Sequence, residues 1–154
     1  MTEPSTPLIF DFLKTQQEFG QLMGNRLNQR LEQVHNLQLK DLLIAREIHQ
    51  GARYPSEIAE MLRIPRDMVS RSIERLLQAG TISREIDPHD SRRTILSINP
   101  EGEARRKEVQ QTIQSTMEPI VGSLTPEELS TLIGFLRKMV EHAYQKEQKE
   151  KENA

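Results

Sequence analysis

Residues 52–99 read ARYPSEIAEMLRIPRDMVSRSIERLLQAGTISREIDPHDSRRTILSIN. Read as successive elements, the stretch gives helix, turn, helix, strand, charged loop and strand. Pro55 suits a first helical turn, because its missing N–H has no intrahelical partner there. Ile58, Ala59 and Leu62 recur at helical spacing. Ile64 precedes Pro65 and is pushed out of the α region, so the first helix stops near Arg63. A second helix is expected over residues 66–79, with Gly80 where a left-handed cap is usual. Val69, Ile73 and Leu76 form its apolar stripe. At about 100° per residue, Asp67, Arg71, Glu74 and Gln78 fall on the far side, flanked by Ser70 and Arg75, with Arg66 at the start.

Two short helices with a tight turn, the second carrying arginines outward, fit a helix-turn-helix, although any αα-hairpin with a solvated basic face would share the pattern. The next residues favour the former. Ile82, Arg84 and Ile86, then Thr94, Leu96 and Ile98, lie in two alternating β-branched runs. Between them sits DPHDSRR, residues 87–93, with turn formers first and arginines last. An arginine on such a loop gains from the negative potential of a narrow minor groove, and Arg92 is the candidate for the tip, with Arg93 beside it. Arg84, Asp87 and Asp90 are expected to support this hairpin. Asp90 can accept from Arg92, from Arg93 or from a backbone N–H.

The order of these pieces resembles the MarR-type transcriptional regulators. The residues that carry the likeness are Leu37-Gln38-Leu39, Val69-Ser70-Arg71, Leu76, Gly80, Arg84, Asp87-Pro88-His89-Asp90-Ser91-Arg92-Arg93 and Asn99-Pro100-Glu101-Gly102. Gln38 stands where the family favours a hydroxyl cap, and Thr81 where leucine is common. The resemblance implies a mainly α (α+β) fold: a winged helix-turn-helix with N- and C-terminal dimerisation helices. It implies a DNA-binding homodimer, with a repressor as the leading form. It also implies a small anionic aromatic effector seated between the dimerisation helices and the winged unit, although no convergent polar cluster in the sequence names one.

In that arrangement the second helix enters a major groove. Arg71 is the expected base-edge contact, because a guanidinium can bond guanine O6 and N7 together. Arg66, Ser70 and Arg75 are expected to hold phosphates or the start of the helix. Asp67 can accept from cytosine N4 or simply pair with Arg71 one turn away.

The flanks divide into an arm at residues 1–7, an N-terminal dimerisation helix at 8–36, the winged unit at 37–99, C-terminal helices at 100–145 and a fraying tail at 146–154. Leu8, Phe12, Phe19, Met23, Leu27, Leu31 and Val34 make a stripe too long for the small winged core to cover. Gly20 and Gly24 permit a close helix crossing within it. Asn99 and Pro100 open a helix, and Pro119 is expected to kink or end it. Thr125 and Glu128 form a capping box for the last helix. There Leu129, Leu132, Ile133, Leu136, Met139 and Val140 give another broad apolar face. The expected cover for both ends is a second copy of the chain; the alternative is a monomer with a folded-back bundle.

Composition narrows the function classes. Of 154 residues, 35% are hydrophobic, a low share that suits an elongated chain completing its core by pairing. Tryptophan is absent and aromatics make up 4%, so no stacking platform for single strands is present. The net charge is −2, yet residues 61–93 hold seven arginines against five acids, so the positive charge is local. With no cysteine, disulfides, cysteine–zinc sites and thiol sensing are excluded. The four histidines, His35, His49, His89 and His142, are scattered singly, which argues against a metal site. No nucleophile elbow or phosphate-cradling loop supports an enzyme. No apolar run is long enough to span a membrane and no signal peptide is evident, which points to a cytoplasmic protein. A winged-helix module that binds protein and never reads DNA is the competing reading from another class.

Overall fold

Prolines, which fix φ, and a glycine, which tolerates a positive one, punctuate the winged part of the chain. Pro55 opens one helix, Pro65 caps the next, and Gly80 takes φ +68 beyond its end. In the computed structural model, which describes residues 4–152, the elements run α1 (Thr6–His35), α2 (Leu39–His49), α3 (Pro55–Leu62), α4 (Arg66–Gln78), β1 (Ser83–Asp87), β2 (Asp90–Ser97), α5 (Pro100–Val121) and α6 (Pro126–Glu152). The strands form one antiparallel hairpin, pairing Arg84 with Leu96 and Ile86 with Thr94, with a register shift between Ile86 and Asp87. This is the mainly α, winged arrangement expected.

The chain divides into two units, met at Thr116 and Met117. The core of the first joins Leu27 and Leu31 of α1, Ile44 and Ile48 of α2, Ile58 of α3, Val69, Ile73 and Leu76 of α4, Leu96 of β2 and Val109 of α5. The outward half of α1 stays bare: Leu8, Phe10, Phe12, Phe19 and Leu22 are exposed. Among the described residues, no atom outside the local helix backbone lies within 4 Å of where a Cβ of Gly24 would stand. At the other end of α1, the hydroxyl of Thr112 on α5 lies 2.8 Å from Nε2 of His35.

Gly102 has a steric reason. A Cβ there would stand 2.6 Å from the carbonyl oxygen of Thr81, so the helix can approach that loop only without a side chain. Thr81 itself sends both its N–H (3.0 Å) and its hydroxyl (2.9 Å) to the Leu76 carbonyl, closing the end of α4. That hydrogen bond is what threonine supplies at a position where leucine is common in the resembled family. Asn99 caps α5 by accepting the Gly102 N–H at 2.8 Å.

In the second unit, Thr125 and Glu128 exchange the reciprocal cap bonds expected, at 2.8 and 3.2 Å. No residue of α6 is buried; Leu132, Ile133, Phe135, Leu136, Met139 and Val140 are all exposed.

Three local expectations are corrected. Thr6 and Pro7, assigned to a loose arm, are already helical, because Pro7 sits in the first turn where proline is favoured. Residues 1–3 of that arm lie outside the described chain. Pro119 does not end α5, which reaches Val121, although its missing N–H removes one rung of the helical ladder near that end. Residues 146–152, expected to fray, continue α6, whose last turn carries Lys149 and Lys151 near the negative end of the helix dipole. Residues 153 and 154 are not described.

Candidate nucleic-acid interface

The exposed side of α4 carries Arg66, Asp67, Ser70, Arg71, Glu74 and Gln78, as the helical period requires. Arg71 pairs with Asp67 one turn back at 2.6 Å, both side chains being about 70% exposed. Of the two roles weighed for Asp67, this is the intrahelical one. Ser70 turns its hydroxyl to the Arg66 carbonyl at 3.0 Å. Arg66 and Arg71 thus both face solvent, on the two flanks of the exposed side.

Arg75 does not join them. Its Nε and terminal nitrogen donate to the two oxygens of Asp41 at 2.9 and 2.6 Å, and a third bond of 3.1 Å reaches Ser72 Oγ. Asp41 is fully buried and also accepts the Gln38 N–H at 2.8 Å, so one carboxylate both caps α2 and ties it to α4. Burial pushes the Asp41 pKa up, but the bonds from Arg75, Ser72 and the Gln38 backbone outweigh it and hold the carboxyl below its usual range. The expectation that Arg75 holds a phosphate is therefore corrected: a buried acid on the neighbouring helix claims its fork.

The hairpin is built from its root outward. Arg84 reaches Glu74 on α4 at 2.7 Å. Asp87 accepts the His89 N–H at 2.8 Å, turning the chain, and also the hydroxyl proton of Tyr54. Those bonds, Tyr54 first, keep the Asp87 carboxyl below the ordinary value. Asp90 accepts from the backbone N–H of Arg92 at 3.0 Å, which decides among its three possible donors. Arg92 is exposed near the tip. Arg93, expected beside it, instead lays its guanidinium 4.0 Å from the centre of the Tyr54 ring.

The structure thus assembles Arg66, Ser70 and Arg71 on one helix face and Arg92 on the hairpin. Arg84 meets Glu74, Asp87 meets Tyr54 and the His89 N–H, Asp90 meets the Arg92 N–H, and Arg75 and Arg93 are drawn to partners. Leu8, Phe12, Phe19, Leu132, Ile133, Leu136 and Val140 are exposed and Leu129 is half-buried. Sequence reasoning missed Asp41 and Tyr54. The first had a signal, an acid three residues after Gln38, the residue that caps its helix; the second, an aromatic before a proline, had little.

Behind α4, a cavity of about 370 Å³ opens between α2 and α5, with Leu42, Leu43, Leu76, Val109 and Ile113 among its walls. Arg46, His49 and Arg106 line it too. Glu103 takes a forked pair of bonds from Arg106 at 2.8 and 2.6 Å, and lies 3.8 Å from His49. Among the described residues, no group of His, Cys, Asp and Glu is placed to hold a metal ion. No described helix is long and apolar enough to cross a membrane.

A helix pair, an arginine-bearing second helix and a braced hairpin define a winged helix-turn-helix chain. The model of the MarR family matches residues 35–93 of it. MarR from Salmonella typhimurium is 29% identical over 91 residues, which cover 58% of this chain and 63% of that protein. The regulator BilQ from Clostridium symbiosum is 30% identical over 83 residues, covering 54% and 58%. The chain thus spans less than two thirds of the length of the curated relatives it matches. Solved structures match more of it. A MarR variant from E. coli complexed with operator DNA superposes with a TM-score of 0.67 at 21% identity, over 89% of this chain and 99% of that one. BldR from Sulfolobus solfataricus gives 0.74 at 17%, over 91% and 99%. AbsC from Streptomyces coelicolor gives 0.71 at 21%, over 94% and 99%. At these identities the likeness shows the fold.

Proposed function

We propose that this chain is a sequence-specific, duplex-DNA-binding transcriptional regulator that acts in the cytoplasm as a homodimer, most simply as a repressor on a palindromic operator. The observation that carries the reading is the pairing of Arg66 and Arg71 on the exposed side of α4 with Arg92 on the braced hairpin. Helix and hairpin then address adjacent features of one duplex, Arg71 a guanine edge and Arg92 a minor groove or its phosphates. The role is binding and not catalysis. A palindrome calls for a two-fold partner, since two heads must reach half-sites about one helical turn apart. The bare apolar faces of α1 and α6 are the surfaces proposed to supply it.

The same reading extends to ligand response. The cavity between α2 and α5 combines apolar walls with the Arg46 guanidinium, Arg106 being held by Glu103, a chemistry suited to a small anionic aromatic. Such an effector would change DNA binding only through different affinities for the DNA-bound and free arrangements.

The test is selection of duplex sequences by the purified protein, followed by anisotropy titrations at two salt concentrations. Arg71→Ala is expected to weaken the selected site by about 1–3 kcal/mol and to relax specificity. A folded dimer that binds no duplex at low salt, yet captures a protein partner, would replace this reading with that of an interaction module.

A further inference from the structure

We propose that Tyr54 is a positioning residue that aims the hairpin, and with it Arg92, at the duplex; the inference rests on the DNA-binding reading above. From Arg84 to Thr94 every residue but Asp87 is exposed, so no apolar packing holds the outer hairpin against the helices. An unsupported two-stranded ribbon is marginal in water. Arg84 and Glu74 add one exposed ion pair near its base, a kind of contact that fixes little.

Among the described residues, the side chain that touches both arms is Tyr54. Its hydroxyl donates to Asp87, the last residue of β1, and its face carries the guanidinium of Arg93 on β2. One side chain therefore grips both arms of the hairpin immediately below the tip, at the point where the register shifts. The ring is itself fixed. Tyr54 caps α3 in an extended conformation, and the Glu57 carboxylate takes its N–H at 3.1 Å and that of Arg53 at 2.9 Å. The Arg53 carbonyl in turn accepts the Leu96 N–H at 2.9 Å, which lays this corner along β2. Strand side chains alternate, so seating Arg93 on the ring turns Arg92 to the other side. A tip held in its bound orientation forfeits less freedom on binding, and that saving is what Tyr54 supplies.

The chain has two tyrosines and no tryptophan, which makes the contact visible. In a Tyr144→Phe background the phenol absorbance reports Tyr54 alone. Its pKa is raised by the Asp87 hydrogen bond and by partial burial, with Arg93 pulling it down and Glu57 and the Asp87 charge pulling it up.

The experiment measures affinity of the full chain for its selected duplex in Tyr54→Ala, Arg92→Ala and the double variant, beside helix content and thermal unfolding. Tyr54→Ala is expected to weaken binding on the order of tenfold, as Arg92→Ala does, and the double variant to lose no more than either. Tyr54→Phe, which keeps the ring for Arg93, is expected to fall between wild type and Tyr54→Ala. Without DNA, Asp87→Asn is expected to move the phenol titration downward. Should Tyr54→Ala unfold the chain, Tyr54→Phe combined with Arg92→Ala carries the same comparison. Unchanged affinity in Tyr54→Ala, losses that multiply in the double variant, or a phenol titration indifferent to Asp87→Asn would overturn the inference. A wild-type chain that binds no duplex would instead bring down the DNA-binding reading itself, even with the phenol response intact.

Discussion

Removing Arg75 is expected to destabilise the protein far more than removing an exposed arginine. The Asp41 carboxylate is fully buried and draws two of its bonds from that one guanidinium. Arg75→Ala leaves a buried anion with only the Gln38 N–H and Ser72 beside it. Breaking a buried pair from one side costs about 3–5 kcal/mol. Because the Arg75 side chain is itself 26% exposed and water can enter where it stood, the lower end, about 3 kcal/mol, is expected. Asp41→Ala strands no buried charge, since the arginine can turn to solvent, and is expected to cost about 2 kcal/mol through lost hydrogen bonds and the lost cap. Replacing both with apolar residues, Asp41→Leu with Arg75→Met, is expected to cost less than Arg75→Ala alone. The assay is equilibrium urea unfolding at one fixed protein concentration, because an associating chain gains apparent stability by mass action. The pH dependence follows from the depressed Asp41 pKa: its contribution is full above the unfolded value of about 3.9 and is lost as pH falls through the lower folded value. The gap between wild type and Asp41→Asn is therefore expected to hold at neutral pH and to close below about pH 4. An Arg75→Ala variant within about 0.5 kcal/mol of wild type, the range of an ordinary surface change, would refute the reasoning.

Two further outcomes are expected. Gly102→Ala places a methyl 2.6 Å from the Thr81 carbonyl and is expected to destabilise by about 1–3 kcal/mol in thermal unfolding, although alanine is ordinarily the better helix former. Leu132→Glu combined with Leu136→Glu sets charges on the exposed face of α6 and is expected to convert the proposed dimer to monomer in light scattering; an unchanged dimer would remove α6 from the interface.

The winged unit was legible because its boundaries rest on local chemistry. Pro55, Pro65 and Pro100 fix their own φ, Gly80 tolerates a positive φ that other residues resist, and Val69, Ile73 and Leu76 repeat at the helical period. The destination of Arg75 was not legible. Its angle on α4 puts it at the margin between inward and outward, and what decides is Asp41, 34 residues earlier, whose burial no periodicity reveals. Arg93 illustrates the same limit: alternation places it opposite Arg92, but only the fold brings Tyr54 beneath it. The lining of the cavity likewise draws Arg46 and His49 from one helix and Arg106 from another, which no spacing rule connects.

The bond between Arg71 and Asp67 carries a kinetic consequence. An exposed pair of this kind is worth under about 1 kcal/mol, whereas a forked contact to guanine discriminates by about 1–3 kcal/mol. Under the proposed reading, in which the chain scans duplex DNA, the carboxylate would repel the phosphates it passes and release its arginine only where a guanine outbids it. Sliding over random sequence would be loose and brief, with long dwell times kept for the right base.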